Sequence, residues 1–329
     1  MMPATFPAFR IHNDNAGYRS GIEEIELDAL SPGEIVIKTA YSSVNFKDAL
    51  AGTGKGKILR QFPLVGGIDV AGHVAQSRDP AFKEGDAVLC TGCGLSETRD
   101  GGYAAHARLE SRWAIPLPTG LDLRESMILG TAGFTAGLAL LRMQDNRQTP
   151  DLGPLAVTGA TGGVGSLAIA IFAKAGYAVH AISGKADQAG WLRSLGASEV
   201  LGRDALATTK PMDSARFGGG LDNVGGPMLH ALLAHTAPYG NVATAGLAAT
   251  HDLATTVMPF IIRGVSLIGV ASAGTARDIR DEVWRRLSSD WKPARLGEIA
   301  TREVGIDGLP EVFDDMLAGG SRGRTLVRL

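Results

Sequence analysis

The apolar positions change their spacing partway along the chain. Between about residues 20 and 120 they come in short bursts. Glu34-Ile-Val-Ile-Lys38 alternates polar and apolar, the period of a half-buried strand. Short apolar runs at 70–74 and 87–89 are bounded by Gly and Asp, and Pro116 and Pro118 close the region. No strand–helix alternation occurs there, so a β-rich domain is predicted. A longer apolar run over 126–142 predicts a helix. Strands and helices then alternate: a strand at 155–158, a helix over 163–175 stopped by Gly176, a strand at 178–182 and a helix over 188–195 stopped by Gly196. Further strands are predicted at 199–201, 221–224, 242–245 and 265–270, and the tail, 307–329, returns to a helix and a final strand. This alternation predicts an α/β fold with a doubly wound parallel sheet. The expected plan is a β-rich domain over 1–124, completed by 275–329, with a nucleotide-binding domain over 125–274 inserted in it.

The sharpest motif lies where the first of those strands meets its helix: Thr158-Gly-Ala-Thr-Gly-Gly-Val-Gly165. In that setting Gly162 lets the backbone approach a pyrophosphate and Gly165 lets helix and strand pack closely. The start of the helix adds N–H groups and positive partial charge. Ala160 stands where the usual pattern has its first glycine, so the motif is a variant. The string also fits the short-chain dehydrogenase pattern, but that family needs a Tyr-x-x-x-Lys pair, and none of the five tyrosines has a lysine four residues on. The end of the second strand bears on which nucleotide binds. NAD enzymes usually place Asp or Glu there for the ribose hydroxyls. This chain has Ser183-Gly184-Lys185, with Arg203 just past the next strand. Lys185 and Arg203 suit a 2′-phosphate. Two charge-assisted hydrogen bonds of roughly 1.5–3 kcal/mol each favour NADPH over NADH by about a hundredfold or more. The plainer reading of a lysine in a turn is a solvated side chain.

Composition narrows the function classes. A chain of 329 residues is too long for one core and suits two domains. With 45% apolar and 20% charged residues it is an ordinary folded enzyme by composition, and a net charge of −2 gives no field for gripping nucleic acid or a membrane. An anion must therefore be held by a local site. Segment 153–173 carries no charge, but five glycines interrupt it, which argues for strand, turn and helix rather than a membrane span. The only cysteines, Cys90 and Cys93, make no disulfide framework. Together with an N-terminus that does not read as a signal peptide, they point to the cytoplasm. Their spacing is that of a metal or redox pair. Without a second pair, a small apolar pair at a strand end is the plainer reading.

These motifs occur together with Ser42-Ser-Val-Asn-Phe-Lys-Asp-Ala-Leu50, Thr53-Gly-Lys-Gly-Lys57, Gly67-Ile-Asp-Val-Ala-Gly72, Gly130-Thr-Ala-Gly-Phe-Thr135, Leu195-Gly-Ala-Ser198, Thr256-Val-Met-Pro-Phe260 and Gly323-Arg-Thr-Leu-Val327. On them the chain resembles, over nearly its whole length, the zinc-free quinone-oxidoreductase group of the medium-chain dehydrogenase/reductase superfamily. Within that group it resembles the acryloyl-CoA reductase branch. The resemblance implies a GroES-like catalytic domain beside a Rossmann domain, a homodimer and NADPH as cofactor. The implied reaction is hydride transfer to the activated C=C bond of an enoyl thioester, a small-molecule substrate. It places Thr161, Gly162, Gly163 and Val164 at the pyrophosphate, and Ser183, Gly184, Lys185 and Arg203 at the adenosine phosphate. Leu247, Ile261, Ser272 and Gly319 fall on the nicotinamide side, with Phe46 against the cofactor. The zinc-bearing relatives use a cysteine, a histidine and a glutamate where Asn45, Ile68 and Asp69 stand here, so no metal is expected.

One position departs from the branch: Phe46 replaces its usual tyrosine and lacks the hydroxyl. If that hydroxyl gives the proton in relatives, this chain uses water or another donor. Tyr41 and Tyr103 are candidates, though each reads more simply as a packing residue. Asn45 and Asp48 are the catalytic candidates. Asn45 would orient cofactor or substrate, while Asp48 equally fits a turn residue accepting backbone hydrogen bonds. Lys55, Lys57 and Arg60 in the neighbouring glycine-rich loop suit coenzyme A phosphates, or form a solvated basic loop. Two other readings stand beside this one: reduction of quinones or free enones, and a non-catalytic NADPH-binding protein.

Overall fold

The computed structural model describes residues 4–329. In chain order its elements are β1 (Phe6–Asp14), β2 (Gly17–Ile25), β3 (Ile35–Val44), α1 (Phe46–Thr53), β4 (Leu64–Val65), β5 (Asp69–Ser77), β6 (Ala87–Thr91), β7 (His106–Leu109) and β8 (Ile115–Pro116). Then follow α2 (Leu123–Asp145), β9 (Leu155–Thr158), α3 (Gly163–Lys174), β10 (Val179–Ile182), α4 (Ala189–Ser194), β11 (Glu199–Leu201), β12 (Phe217–Asp222), α5 (Gly226–Ala234) and β13 (Thr236–Thr244). The chain ends through α6 (Met258–Arg263), β14 (Ser266–Gly269), α7 (Arg277–Leu287), β15 (Ala300–Val304), α8 (Leu309–Leu317) and β16 (Arg324–Arg328). The described residues form two compact units. Unit 1 takes the chain up to Thr131 with Ala273–Asp281 and Ala300–Leu329, and unit 2 takes Ala132–Ser272 with Glu282–Ile299.

Unit 1 is mainly antiparallel. One sheet runs β2-β1-β4, and a larger one runs β15-β16-β3-β5-β6-β8 with β7 also paired to β3. Strand β3 does not show the expected alternation at its start: Ile35, Val36 and Ile37 are all buried, because both faces of the sheet are covered there, and Ile35 and Ile37 join Val70, Val74 and Val88 in one apolar cluster. A second cluster gathers Phe9, Tyr103 and Phe313, tying the first strand to α8. Ring edges meet faces there, with Phe9 and Phe313 centroids 5.8 Å apart. The β structure begins at Phe6, earlier than the apolar spacing suggested, because the β1–β2 hairpin has a polar outer face.

Unit 2 holds a parallel sheet in the order β11-β10-β9-β12-β13-β14. This is the doubly wound order in which the chain reverses direction beside β9, and ligands of such sheets bind at the carboxyl ends of the strands there. Segment 153–173 is β9, a turn and the buried helix α3, as its glycines implied. Gly176 (φ 94°) and Gly196 (φ 118°) take the left-handed conformation that ends the helices before them. Strand β12 starts four residues before the predicted 221, since its three glycines hide the pattern.

Two boundaries differ from expectation. Helix α2 begins in unit 1, and the division falls at Thr131/Ala132 rather than after 124. The cause is a break at Gly130 (φ 48°, ψ −155°) inside an uninterrupted apolar run. Residues 282–299 belong to unit 2 rather than to the first domain, for Trp284 stacks on Phe134, centroids 6.2 Å apart. Among the described residues, α2 is the helix long and apolar enough to cross a membrane, and 83% of its apolar window is buried inside the protein.

Candidate active site

In unit 2 the carboxyl ends of the strands gather most of the predicted cofactor residues. Gly162 caps α3, and the helix carries no acidic side chain in its first turn, so its N–H groups and dipole face the turn unopposed. A Cβ on Gly165 would lie 2.3 Å from the carbonyl oxygen of Gly159, so only glycine permits this approach of helix to turn. Thr161 is buried and Gly163 and Val164 are half-buried at the same turn. At the end of β10, Lys185 N–H donates to Ser183 Oγ at 3.0 Å, folding the turn on itself. Arg203 packs against that turn: a Cβ on Gly184 would come within 2.9 Å of its Nε. Ser183, Gly184, Lys185 and Arg203 are thus brought to one place, with no carboxylate among them.

A residue not singled out in the sequence joins them. Asn223, just past β12, donates from Nδ2 to Thr158 O at 2.9 Å and from its N–H to Thr158 Oγ1 at 3.0 Å. It thereby ties β9 to β12 at the point where the strand order reverses. Its Oδ1 is buried without a partner in the protein. A buried acceptor so placed calls for a donor from outside the chain. Asp222 holds the turn from below, accepting from Thr158 Oγ1 at 2.7 Å and from Gly225 N–H at 2.7 Å. Burial pushes the Asp222 carboxyl above its ordinary range. The sequence signal was a strand ending in Asp222, followed by Asn223, Val224 and two glycines.

Of the four nicotinamide-side residues, Leu247 lines a cavity of about 260 Å³ at the ends of β12, β13 and β14, with Gly225, Thr244, Thr250 and Val270. The lining of that cavity does not include Ile261, Ser272 or Gly319. Ile261 stands 76% exposed on α6, and Ser272 is half-buried after β14. Gly319 belongs to unit 1, where its φ of 78° ends α8.

The remaining candidates lie in unit 1 around a buried ionic cluster. Asn45 is the N-cap of α1, with Asp48 at the third position of a capping box. Asp48 accepts from Asn45 N–H at 2.9 Å, from Asn45 Nδ2 at 3.2 Å and from Ile68 N–H at 2.9 Å. Asn45 Nδ2 also donates to Asp69 at 2.8 Å, and its Oδ1 accepts from Arg324 Nη1 at 3.0 Å. Asp69 further accepts from Ser43 Oγ at 2.6 Å and Thr131 Oγ1 at 2.6 Å. The Arg324 guanidinium lies 3.6 Å from Asp69 and donates to Ser43 Oγ at 2.6 Å and to the carbonyls of Val44 and Ile128. Desolvation, and then the neighbouring Asp69, push the Asp48 carboxyl up to about 7. The side-chain amide of Asn45 is therefore fully used inside the protein, and Asp48 is a turn carboxylate.

What this cluster presents outward is Phe46, 42% exposed as the first residue of α1. Tyr103 is buried, with its hydroxyl donating to Ser43 O at 3.2 Å and its ring against Gly66 and Gly67, which makes it a packing residue. Zinc does not fit here. Asn45 and Asp69 are bonded to each other and to a guanidinium, so an arriving cation would meet a fixed positive charge without thiolate or imidazole ligands. Among the described residues no group of three or more His, Cys, Asp or Glu side chains could hold a metal ion. In the basic loop, Arg60 and Lys47 share Glu97, at 3.1 and 2.5 Å, while Lys55 and Lys57 are exposed.

Fold and site together define a two-domain oxidoreductase: a β-rich domain with a capped helix start, and a parallel α/β domain with a dinucleotide turn. Comparison with known proteins agrees. Residues 31–119 match the alcohol dehydrogenase GroES-like domain, and residues 163–289 match the zinc-binding dehydrogenase family. The chain is 43% identical over 310 residues to the probable acrylyl-CoA reductase AcuI of Escherichia coli, covering 94% of this chain and 95% of that one. It is 41% identical to the putative quinone oxidoreductase YhfP of Bacillus subtilis over the full length of both. A YhfP structure with NAD bound superposes with a TM-score of 0.95, covering 99% of this chain and 100% of that one. The YhdH oxidoreductase of Salmonella enterica, solved in complex with NADP, is 42% identical with a TM-score of 0.94, covering 98% of this chain and 99% of that one. The chain belongs to the medium-chain dehydrogenase/reductase family, in its quinone-oxidoreductase-like group.

Proposed function

We propose that the protein reduces the activated C=C bond of an enoyl thioester of the acryloyl-CoA type, with NADPH and without zinc. The observation that carries this reading is the 43% identity, along 94% of the chain, to a protein named for that reaction. When bound, NADPH supplies the hydride, and the chain's own residues hold it. The turn of Thr161, Gly162, Gly163 and Val164 takes the pyrophosphate on the α3 N-terminus. Ser183, Gly184, Lys185 and Arg203 take the 2′-phosphate, where an NAD enzyme would carry a carboxylate. Leu247 takes the nicotinamide side, and the orphaned Oδ1 of Asn223 accepts from the cofactor.

Asn45 and Asp48 act as positioning residues. Both are spent on fixing the start of α1, and so the ring of Phe46 against the cofactor. With no hydroxyl on Phe46 and the Tyr103 phenol bound to backbone, water supplies the proton to the α-carbon. Lys55 and Lys57 meet the phosphates of coenzyme A, while Arg60 serves Glu97. The protein works as a homodimer in the cytoplasm. Edge strand β14 and the exposed apolar side chains of α6 support the pairing of two copies.

Reduction of quinones is the second reading, favoured by full-length identity to YhfP. Steady-state kinetics with both acceptors separates the two. In the Lys55→Ala/Lys57→Ala double variant, two lost surface contacts raise the KM for acryloyl-CoA about fivefold and leave that for a quinone unchanged. Equal KM values for wild type and variant would remove the coenzyme A contact.

A further inference from the structure

The mechanism makes no use of Cys90 and Cys93. Cys90 is the fourth residue of β6 and is fully enclosed, whereas Cys93 sits in the turn just after the strand and is 8% exposed. Three successive residues of that turn have positive φ: Gly92 at 70°, Cys93 at 54° and Gly94 at 83°. Such a value is ordinary for glycine and strained for cysteine. The strained turn brings the Cys93 sulfur back toward the strand it has just left. It lies 3.5 Å from the Thr91 carbonyl oxygen, and the two thiols are in hydrogen-bond contact.

We propose that Cys90 and Cys93 form a reversible thiol–disulfide site that reacts with small-molecule disulfides. The Cys93 thiolate attacks one sulfur of the small disulfide. A mixed disulfide forms, and one small thiolate leaves. The Cys90 sulfur then attacks the Cys93 sulfur, expels the second small thiolate and closes the protein disulfide. Two protein thiols are oxidised, one small disulfide is reduced to two thiols, and the two protein protons end on those thiols.

The surroundings set the order of attack. Cys93 is the only one of the two that a reagent can touch. The hydrogen bond from Cys90, and then the guanidinium groups of Arg280, Arg99 and Arg277, hold its thiol below the ordinary range. The Cys90 thiol is pushed well up, by its hydrogen bond to Cys93 and by burial, and so serves as the second, resolving thiol.

The site is connected to another part of unit 1. Arg280 is buried and donates from Nη1 to Thr91 O at 2.9 Å and to Thr91 Oγ1 at 3.1 Å. Cys93 N–H donates to Ala273 O at 3.3 Å, and a Cβ on Gly92 would touch the Ala273 Cα at 3.0 Å. Thr91 and Gly92 are the two residues between the cysteines. Closing a sulfur–sulfur bond of about 2.0 Å across them turns their peptide and withdraws the Thr91 carbonyl from Arg280. Oxidation therefore loosens segment Ala273–Asp281.

The test equilibrates the full-length protein with graded mixtures of oxidised and reduced glutathione, quenches in acid, alkylates free thiols and measures intact mass. The expected result is a species lacking two hydrogens that takes no alkyl group, returns on adding reduced glutathione, and yields a linked 90–93 peptide. Cys90→Ser should stop at one glutathione on Cys93, and Cys93→Ser should take none while folded. Two alkylated thiols at every ratio, or a stable glutathione adduct on the wild type, would overturn the proposal. Hydrogen exchange over 273–281 should quicken in the oxidised form. Identical exchange in both forms would overturn the link to Arg280.

Discussion

Asp48 and Asp69 lie beside one guanidinium, and this crowding has a measurable consequence. The Asp48 carboxyl is held at about 7, against 3.8 in the open chain. Below pH 4 the group is protonated in both states and favours neither. As pH rises from about 4 to 7, the unfolded chain releases the proton and the folded one keeps it, so stability falls across that window. Melting temperature should therefore drop between about pH 4 and pH 7 and level off above. Asp48→Asn should flatten that drop. It should also lower stability at every pH, because the new amide turns a donor toward Asn45 or Ile68, leaving a mismatch of about 1–3 kcal/mol. A variant as pH-sensitive as the wild type would assign the slope to another group. The pairing of these groups was not legible in the sequence. Arg324 and Asp69 are far apart in the chain, and nothing local marks an arginine that will be buried. Asn45 and Asp48 stood out as polar residues in a motif, which says that they matter but not whether they face substrate or each other.

At the scale of elements, the parallel sheet was legible and the kinks were not. Strands β9, β10 and β11 are each short and flanked by glycines, so spacing alone places them. Helix α1 was missed because it is short and lies among strands. The break in α2 was missed because Gly130 sits in an unbroken apolar run. A Cβ at that position would lie 2.7 Å from Asp69 and 2.8 Å from Ser43 Oγ, so the glycine is explained only by what approaches it. The ends of β10 and β11 carry the cofactor choice. In a Lys185→Ala/Arg203→Ala variant the ratio of kcat/KM for NADPH over NADH should fall by about a hundredfold, as two charge-assisted contacts to the 2′-phosphate go. An unchanged ratio would place the discrimination elsewhere.

For the whole molecule, the outer edge of the unit 2 sheet is the clearest unfinished surface. Strand β14 has β13 on one side only. On α6 nearby in the chain, Ile261 is 76% exposed and Ile262 59%, with Val257 and Met258 adjoining. An uncovered strand edge with exposed large apolar side chains suits a two-fold partner better than water. Val257→Glu/Ile262→Glu should convert a dimer into a monomer in light scattering, since charges buried at the interface would lack partners. A dimer that persists would move the interface to another face.

The proposed reaction is read most simply by following NADPH oxidation on adding acryloyl-CoA, beside a quinone and an NADH control. Turnover should be rapid with acryloyl-CoA and NADPH and much slower with NADH, and the product should be a saturated thioester. Turnover with the quinone alone would contradict this reading and give the protein to the quinone reductases. Tight binding of NADPH with no turnover of either acceptor would contradict it more deeply. It would show that a ring without a hydroxyl at Phe46 does not support the chemistry.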